Sequence, residues 1–324
     1  MDSLGTVGSP ALWMGFIAFV IAMLALDLGV FHRKAHTVGF KEALGWSTVW
    51  ISLALLFNVG LWWKFGAGPG VEFLTGYLIE KSLSVDNIFV FVVIFSSLRI
   101  PALYQHRVLF WSILSALVLR AIMIFAGVAM LERFHWLIYV FGAFLVVTGL
   151  KLFIQRNKED HPEDSAMMRL VRRTIPSTPR FDGHHFFTVE NGRRLATPLL
   201  MALILVELSD ILFALDSIPA IFAVTRDPFI VFTSNIFAIL GLRSLFFLLA
   251  GAVEKFSYLK VGLAGVLVFV GLKMALIDFV KLHPAVSLGV IAAMLGASIV
   301  ASLIKARNTP PPAEGEPLAK ASES

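Results

Sequence analysis

Long apolar runs follow one another along most of this chain, and short polar segments connect them. Each run has about twenty residues, which is the length that an α-helix needs to cross a lipid bilayer. The runs lie at about 10–31, 43–63, 72–97, 108–130, 134–154, 198–224, 229–250, 258–280 and 284–304. The pattern therefore predicts an all-α, multi-pass membrane protein with nine spans in one transmembrane domain, residues 1–304.

The composition is typical of an integral membrane protein. The 324 residues are 58% hydrophobic and only 15% charged, which does not suit a soluble protein of this size. The chain has no cysteine, which excludes disulfides, thiolate metal ligands and thiol catalysis. No basic patch interleaved with aromatic residues is present, so we expect no nucleic-acid partner. We also expect no enzymatic activity and no prosthetic group.

The basic residues of the connecting segments predict the orientation of the chain. Alternate connections on one side contain 19 lysines and arginines, whereas those on the other side contain four. Because basic residues concentrate on the cytoplasmic side, the N-terminus is expected outside and the C-terminus inside. The first run has no basic residue before it and is longer than a signal-peptide core, so we expect it to be a retained span. This places the protein in the cell inner (cytoplasmic) membrane.

Two polar segments lie on the predicted cytoplasmic side. The connection 155–197 is basic and contains Asn191-Gly192 between two short runs with β-propensity, a pattern that predicts a hairpin. A disordered linker is the alternative for this segment. The end of the chain, 305–324, is rich in proline, alanine and glutamate, and we expect it to be disordered.

Residues 71–154 and 198–280 read as two copies of one three-span unit. Glycines, arginines and acidic residues recur in the same order in both halves. The matched pairs are Glu80 with Asp210, Asp86 with Asp216, Arg120 with Arg243, and Gly149 with Gly271. An odd number of crossings separates the two starts, so the copies have opposite orientation and form an inverted repeat. In transporters built this way, the substrate site lies near the midplane, between the repeats.

The ionisable residues inside the predicted spans are the candidate functional residues, because charge at membrane depth is costly and marks pathways or sites. Five are acidic and three are basic, and Asn87 adds an amide oxygen. They are Glu80, Asp86, Glu207, Asp210 and Asp216, with Lys81, Arg120 and Arg243. The excess of negative charge suits one divalent cation. Oxygen ligands without cysteine or core histidine favour Mn²⁺, Mg²⁺ or Ca²⁺ over zinc or copper.

The three basic residues are better read as structural counter-charges than as part of a metal shell, because a buried cation needs an opposite charge and repels a metal. The acidic residues raise a geometric problem. On a straight helix Glu207 and Asp210 share a face, while Asp216 lies about 180° from Glu207. We therefore expect a break at 215–218, since the ring of Pro219 clashes with the carbonyl four residues earlier.

The motifs EKSLSVDNIFVF, from Glu80, and VELSDILFALDSIPAIF, from Val206, resemble the two signature segments of the TerC family of integral membrane proteins. The segments DLGVFHRKAH and ATPLLMALILVELSD are also similar to that family, and the resemblance covers nearly the whole chain apart from its tail. Within the family the chain looks like the Alx-type branch, with about nine spans. The family is named for tellurium resistance, and the resemblance implies manganese export by bacterial members.

The residues and the resemblance together predict a divalent-cation exporter, with Mn²⁺ as the expected substrate and proton antiport as a plausible drive. The ligand types alone do not separate Mn²⁺ from Ca²⁺ or Mg²⁺, so that choice rests on the resemblance. The alternative hypothesis is a membrane scaffold or metal-loading partner that transports nothing. Its support is the basic 155–197 loop, which offers a docking surface for a protein partner.

Overall fold

The fold is a bundle of helices with one short β-hairpin. A computed structural model describes residues 6–31, 39–134, 136–154, 175–190, 192–249, 258–279 and 282–308. The helices are α1 (Pro10–Phe31), α2 (Phe40–Phe65), α3 (Ala67–Ser97), α4 (Ala102–Arg133), α5 (Leu137–Ile154), α6 (Pro198–Phe222), α7 (Pro228–Leu240), α8 (Leu242–Leu249), α9 (Leu259–Ala275) and α10 (Pro284–Asn308). The strands are β1 (Phe187–Glu190) and β2 (Arg193–Ala196).

Every apolar run of the sequence coincides with a helix or, in one case, with a pair of helices. Among the described residues, five helices are long and apolar enough to cross a membrane, and a bent pair raises the number to six. Helix α3 is outside this set because Glu80, Lys81 and Asp86 interrupt its apolar sequence. The multi-pass helical architecture is thus confirmed, whereas nine spans stay a prediction.

The helix that contains Pro219 is continuous, so the predicted break at 215–218 is wrong. Helix α6 extends through the proline to Phe222. The reason is position: Pro219 lies in the last turn, where the helix loses one backbone hydrogen bond and ends shortly afterwards. As a result Asp216 stays on a different face of α6 from Glu207.

A bend that the sequence analysis did not predict lies in the following run. Helices α7 and α8 meet at Gly241 with an angle of 41° between them. The backbone N–H of Gly241 bonds to the carbonyl of Ile239, which closes a tight turn at the end of α7. The predicted span 229–250 is therefore a bent pair.

Helix α3 is the centre of the bundle. It packs against α2, α6, α7 and α10, and α4 in turn packs against α6 and α7. Large aromatic and aliphatic side chains such as Phe73, Phe91 and Ile79 are fully buried along it. The polar side chains of Glu80, Ser84 and Asn87 are consequently buried against neighbouring helices.

Helices α5 and α9 form the most extensive pairing in the molecule, and glycines bring their backbones together. A Cβ atom on Gly271 would lie 2.7 Å from the carbonyl oxygen of Gly142 and 2.8 Å from the backbone nitrogen of Val146. A Cβ atom on Gly149 would lie 2.8 Å from the carbonyl oxygen of Ala264. Because lipid does not drive helices together as water does, such small-residue contacts are a main source of association in membranes.

The hairpin before α6 is ordered. Strands β1 and β2 are antiparallel, with Glu190 opposite Arg193, and Gly192 has the positive φ of 74° that the turn requires. The predicted hairpin is confirmed, although Asn191 itself lies outside the described residues. Helix α10 continues to Asn308, beyond the predicted limit of 304, and the rest of the predicted tail is outside the described part of the chain.

Candidate cation-binding site

Charged side chains meet in the interior where α3, α4, α6 and α7 pack together. Each of these helices is otherwise apolar, so a charge on one of them is stable only against an opposite charge or a hydrogen bond from a neighbour. Glu80 is fully buried, and Arg120 and Asp210 are exposed by only 1% and 3% of their surfaces. The three residues come from three helices that are far apart in the sequence.

Arg120 is the centre of this arrangement. Its Nη1 donates to Glu80 Oε1, and its Nη2 donates to Asp210 Oδ1 at 3.1 Å. The same Nη1 lies 3.1 Å from Ser217 Oγ and 3.3 Å from Asn235 Oδ1. Asn235 also donates from Nδ2 to Glu80 Oε2 at 3.1 Å. One guanidinium thereby connects two carboxylates, a hydroxyl and an amide.

Arg120 alone does not balance the two carboxylates. Glu80 and Asp210 together have two negative charges, and Arg120 supplies one positive charge. Lys81, next to Glu80 on α3, supplies a second positive charge that acts on Glu80, while its Nζ lies 3.4 Å from the carbonyl oxygen of Ala238, on α7. The charges of the cluster therefore balance only when Lys81 is counted together with Arg120.

Several buried oxygens have no hydrogen-bond partner within the part of the chain that the structure describes. Among the predicted ligands they are Asp210 Oδ2, Glu207 Oε2 and Asn87 Oδ1, and other such oxygens include Tyr77 Oη and Asn58 Oδ1. Glu207 uses its other oxygen to accept from Ser115 on α4. It lies three residues before Asp210 on the same face of α6, whereas Asn87 lies about 10 Å from Glu80 along α3 at 1.5 Å per residue. Buried polar atoms without partners are uncommon, so these oxygens are candidate ligands.

The other predicted site residues lie elsewhere or outside the description. Asp216 is half-buried, within hydrogen-bonding reach of Thr148 and close to Lys151, both on α5. Arg243 is buried on α8. Asp86 belongs to α3, but its side chain lies outside the described residues. Among the predicted ligands whose side chains are described, Asp216 is therefore apart from the pair Glu80 and Asp210.

The described residues contain no group of three or more histidine, cysteine, aspartate or glutamate side chains arranged to hold a metal ion. Glu80 and Asp210 are close to each other, but Arg120 lies between them. The oxygens suit a hard divalent cation, yet in this conformation a guanidinium occupies the space between the two carboxylates.

Sequence reasoning missed part of the site. Asn235 on α7 is not among the predicted site residues, yet it contacts both Arg120 and Glu80. Ser115 was not singled out, although it binds Glu207. The signal available in the sequence was weak, since one amide or hydroxyl in an apolar helix commonly bonds to a neighbouring helix without any ligand.

At one end of the bundle, where α3 begins and α6 ends, lies a cavity of about 470 Å³. Its lining includes Glu72, Glu132 and Arg226. Asp227 also faces it, but both oxygens of that carboxylate accept hydrogen bonds, one from Thr6 Oγ1 at 2.7 Å and one from the Val7 N–H at 2.6 Å. This cavity is a polar opening at one end of the same helices that hold the buried charges.

Comparison with known proteins agrees with the motifs. A protein from Myxococcus xanthus, described only as the uncharacterized membrane protein STKORF319, is 82% identical over 310 residues, covering 96% of this chain and 97% of the relative. A candidate membrane-bound redox modulator named Alx, from Escherichia coli K12, is 51% identical over 301 residues, covering 90% and 94%. The Salmonella typhi protein of the same name is 50% identical over 306 residues, covering 92% and 95%.

No solved structure matches this chain significantly. The model of the integral membrane protein TerC family matches residues 65–310, which include all the helices of the buried charge cluster. The match covers most of the chain, and the relatives align over nearly their whole length. This protein therefore belongs to the TerC family of integral membrane proteins.

Proposed function

We propose that this protein exports a divalent cation across the cytoplasmic membrane, with Mn²⁺ as its substrate. In this proposal the chain crosses the membrane nine times, with the N-terminus outside and the C-terminus in the cytoplasm. The cation enters from the cytoplasm, exchanges water for protein oxygens between the two repeats, and leaves on the other side. It acts as cargo and not as a resident cofactor.

The observation that carries the proposal is the set of buried oxygens without partners. Asp210 Oδ2, Glu207 Oε2 and Asn87 Oδ1 are ligands of the type that hard divalent cations prefer. Burying such atoms without partners costs about 1–3 kcal/mol each, so they require a function to account for them. A cation that passes between α3 and α6 would satisfy them in turn.

The contacts between α5 and α9 support the inverted repeat. In the sequence, Gly149 is matched with Gly271, a difference of 122 positions. The same difference relates Gly142 to Ala264. If the two halves are exchanged, Gly142 takes the place of Ala264, and Gly271 takes the place of Gly149. The contact between Gly142 and Gly271 therefore has a counterpart between Ala264 and Gly149, and both contacts are present. Such reciprocity is expected of a two-fold interface.

The direction of these two helices favours inversion over a parallel repeat. Along α5 the contacts run from Gly142 to Gly149, while along α9 they run from Gly271 back to Ala264. The helices are therefore antiparallel, as the third spans of two oppositely oriented units would be. Transporters with this symmetry alternate their access by moving one repeat against the other.

The cavity at the end of the bundle supports an outward path. Under the proposed orientation it faces the outside, because α3 begins there and α6 ends there. Glu72 and Glu132 in its lining would attract a cation that leaves the buried oxygens. Proton antiport would provide the energy, since clustered carboxylates can take up protons when the cation leaves.

The choice of Mn²⁺ follows the family resemblance, because the oxygen ligands also suit Mg²⁺ and Ca²⁺. The names of the two Alx relatives describe redox modulation. This chain contains no cysteine, so a thiol-based redox role has no side chain to perform it. Transport of a redox-active metal would be an indirect way to modulate redox state. Those names are therefore compatible with the proposal.

The test is total cell manganese, measured by elemental analysis in an exporter-deficient strain under Mn²⁺ load. The strain carries wild-type protein, Asp86→Asn or Asp216→Asn, at matched abundance in the membrane. Wild type should lower manganese and both variants should fail to do so. Asp182→Asn, which removes an exposed acid from the segment before the hairpin, is the control and should export normally.

Export that survives in both Asp86→Asn and Asp216→Asn would contradict the assignment of these residues to the path. If wild type does not change manganese, the same measurement for calcium and magnesium decides whether another divalent cation is exported. A second negative result would reject export altogether.

The alternative function is a scaffold or metal-loading partner, and the ordered hairpin is the observation in its favour. Phe187 and Val189 project from one face of β1 with exposures of 45% and 70%, next to Arg194, whose guanidinium lies 4.2 Å from the ring of Phe187. Replacing Phe187 and Val189 with serine separates the hypotheses. A scaffold should lose function in the cell, whereas an exporter should retain its effect on manganese.

A further inference from the structure

The position of Arg120 has a consequence for the transport cycle, which rests on the proposed function above. A guanidinium keeps its proton in proteins at any physiological pH, so its positive charge can be removed from the site only by movement of the side chain. Arg120 binds Glu80 and Asp210, two carboxylates that a divalent cation crossing this region would need. The guanidinium and the cargo therefore require the same oxygens.

We propose that Arg120 is a tethered competitor of the cargo: it occupies the acidic site when no cation is bound, and the arriving cation must displace it. The arrangement gives the protein an empty state in which the two carboxylates are neutralised in part without any ion from solution. Release of the cargo is then assisted by return of the guanidinium.

The contacts of Arg120 also cross the boundary between the two halves of the chain. Glu80 belongs to the first repeat, 71–154, as does Arg120 itself, whereas Asp210, Ser217 and Asn235 belong to the second, 198–280. In this conformation one side chain thereby bridges the repeats through three contacts. Displacement of Arg120 by a cation would break these three contacts. Binding of the cargo would therefore also release the repeats to move against each other.

The unpartnered atoms indicate where the exchange begins. Among the described residues nothing hydrogen-bonds to Asp210 Oδ2, while Oδ1 accepts from Arg120, and the same holds for Glu207 Oε2 one turn away on the same helix. A cation can bind these two oxygens before Arg120 leaves. Its charge then weakens the attraction between Arg120 and Asp210, which is the condition for displacement.

The experiment measures Mn²⁺ affinity of the purified full-length protein in lipid nanodiscs by isothermal titration calorimetry. Arg120→Gln keeps the length and polarity of the side chain and removes the charge. We expect it to bind Mn²⁺ about tenfold more tightly than wild type, within the usual range for coupled sites. Its export in cells should fall, because release lacks the returning guanidinium. Arg133→Gln, an exposed arginine on the same helix, should leave both values unchanged.

A purely structural role for Arg120 gives the opposite result. If Arg120→Gln is folded, by size-exclusion chromatography, and binds Mn²⁺ equally or more weakly than wild type, the competitor is rejected. If that variant does not fold, Arg120→Lys decides. An ammonium cannot span both carboxylates as the planar guanidinium does, so tighter Mn²⁺ binding supports the proposal and unchanged binding overturns it.

Chemical rescue adds a measurement that a structural role would not produce. In Arg120→Ala, free guanidinium ion should compete with Mn²⁺, so that the apparent Kd for Mn²⁺ rises with guanidinium concentration while wild type is unaffected. Absence of competition contradicts the proposal. If wild type and all variants bind none of Mn²⁺, Mg²⁺ and Ca²⁺, the proposed export function itself fails, which is a different outcome from unchanged affinity in a protein that does bind.

Discussion

Two regions join the proposed repeats, 71–154 and 198–280, by different means. Between α5 and α9 the contact consists of glycines and backbone atoms, and hardly any space remains between the helices. Between α3, α4, α6 and α7 the apolar packing surrounds one guanidinium that is shared by two carboxylates, a hydroxyl and an amide. The first region depends on close backbone packing alone, and the second adds buried charges to its apolar packing.

This difference separates what can move from what cannot. Backbone packing at the glycines has no alternative partner, because any added atom collides with the opposite helix. The charged contacts do have an alternative partner, since a metal cation can replace a guanidinium as the positive charge between carboxylates. We therefore expect the glycine interface to persist through the proposed transport cycle and the charged contacts to be exchanged.

The largest effect is expected for removal of the central charge. Arg120→Met leaves Glu80 and Asp210 buried next to each other without their cation. Breaking a buried pair in this way costs about 3–5 kcal/mol of the free energy of unfolding. Thermal unfolding in lipid should show a large decrease in Tm, and Arg133→Met, on the exposed side of the same helix, should show almost none.

A small decrease in Arg120→Met would mean that the two carboxylates find other partners when Arg120 is absent. The charged region would then not hold the repeats together, and the contrast with the glycine interface would be lost. Addition of Mn²⁺ should partly restore the Tm of this variant, because a divalent cation can take the place of the guanidinium.

The glycine interface should respond to a single methyl group. Gly271→Ala places a carbon 2.7 Å from the carbonyl oxygen of Gly142, a distance at which the two backbones must separate. Overpacking of this kind costs about 1–3 kcal/mol of the free energy of unfolding. The matched control is Gly265→Ala on the same helix, where the nearest atom, the sulfur of Met294, is 3.7 Å away.

Gly265→Ala should be neutral or stabilising, since alanine is a better helix former than glycine by about 1 kcal/mol. If Gly271→Ala and Gly265→Ala unfold at the same temperature, the close approach of α5 and α9 is not a determinant of stability. The two variants differ by position alone, so the comparison removes the general effect of replacing glycine.

The two regions also differ in how far the sequence predicts them. The helices follow from apolar runs of bilayer length, and the hairpin follows from Asn191-Gly192 between residues of β-propensity, because these are local properties of the chain. The pairing of Gly149 with Gly271 was visible as a repeat. Which helices these glycines bring together was not, since that depends on tertiary packing.

The arrangement of charges could not be predicted from positions along the helices. The sequence analysis placed Asp210 and Asp216 in one cavity by assuming a break at 215–218, but Pro219 lies in the last turn of α6 and the helix is continuous. Asp216 instead faces Thr148 of α5. Asn235 acts from α7 on Glu80 of α3 and Arg120 of α4. The sequence around Asn235 does not predict these contacts, because they depend on how the three helices pack.

Within the charged region, a neutral partner should matter less than a charged one. Ser217→Ala removes the hydroxyl that lies 3.1 Å from Arg120 Nη1 and leaves both salt bridges in place. We expect a decrease of about 1 kcal/mol in the free energy of unfolding. Ser209→Ala is the control, because the hydroxyl of Ser209 donates only to the carbonyl of Leu205 in its own helix. An equal effect of the two changes would remove Ser217 from the network.

The smallest effect is expected for coupling between the two regions. Ser217 and Gly271 contact different residues, so the double variant Ser217→Ala with Gly271→Ala should lose the sum of the two single losses, within about 0.5 kcal/mol. Such additivity is what two independent attachments of one repeat to the other predict. The measurement is the free energy of unfolding of wild type, both single variants and the double variant in the same lipid. A deviation from additivity several times larger than about 0.5 kcal/mol would show that weakening one region also destabilises the other. The glycine interface would then not be independent of the charged contacts, and the contrast between a persistent and an exchangeable region would be wrong.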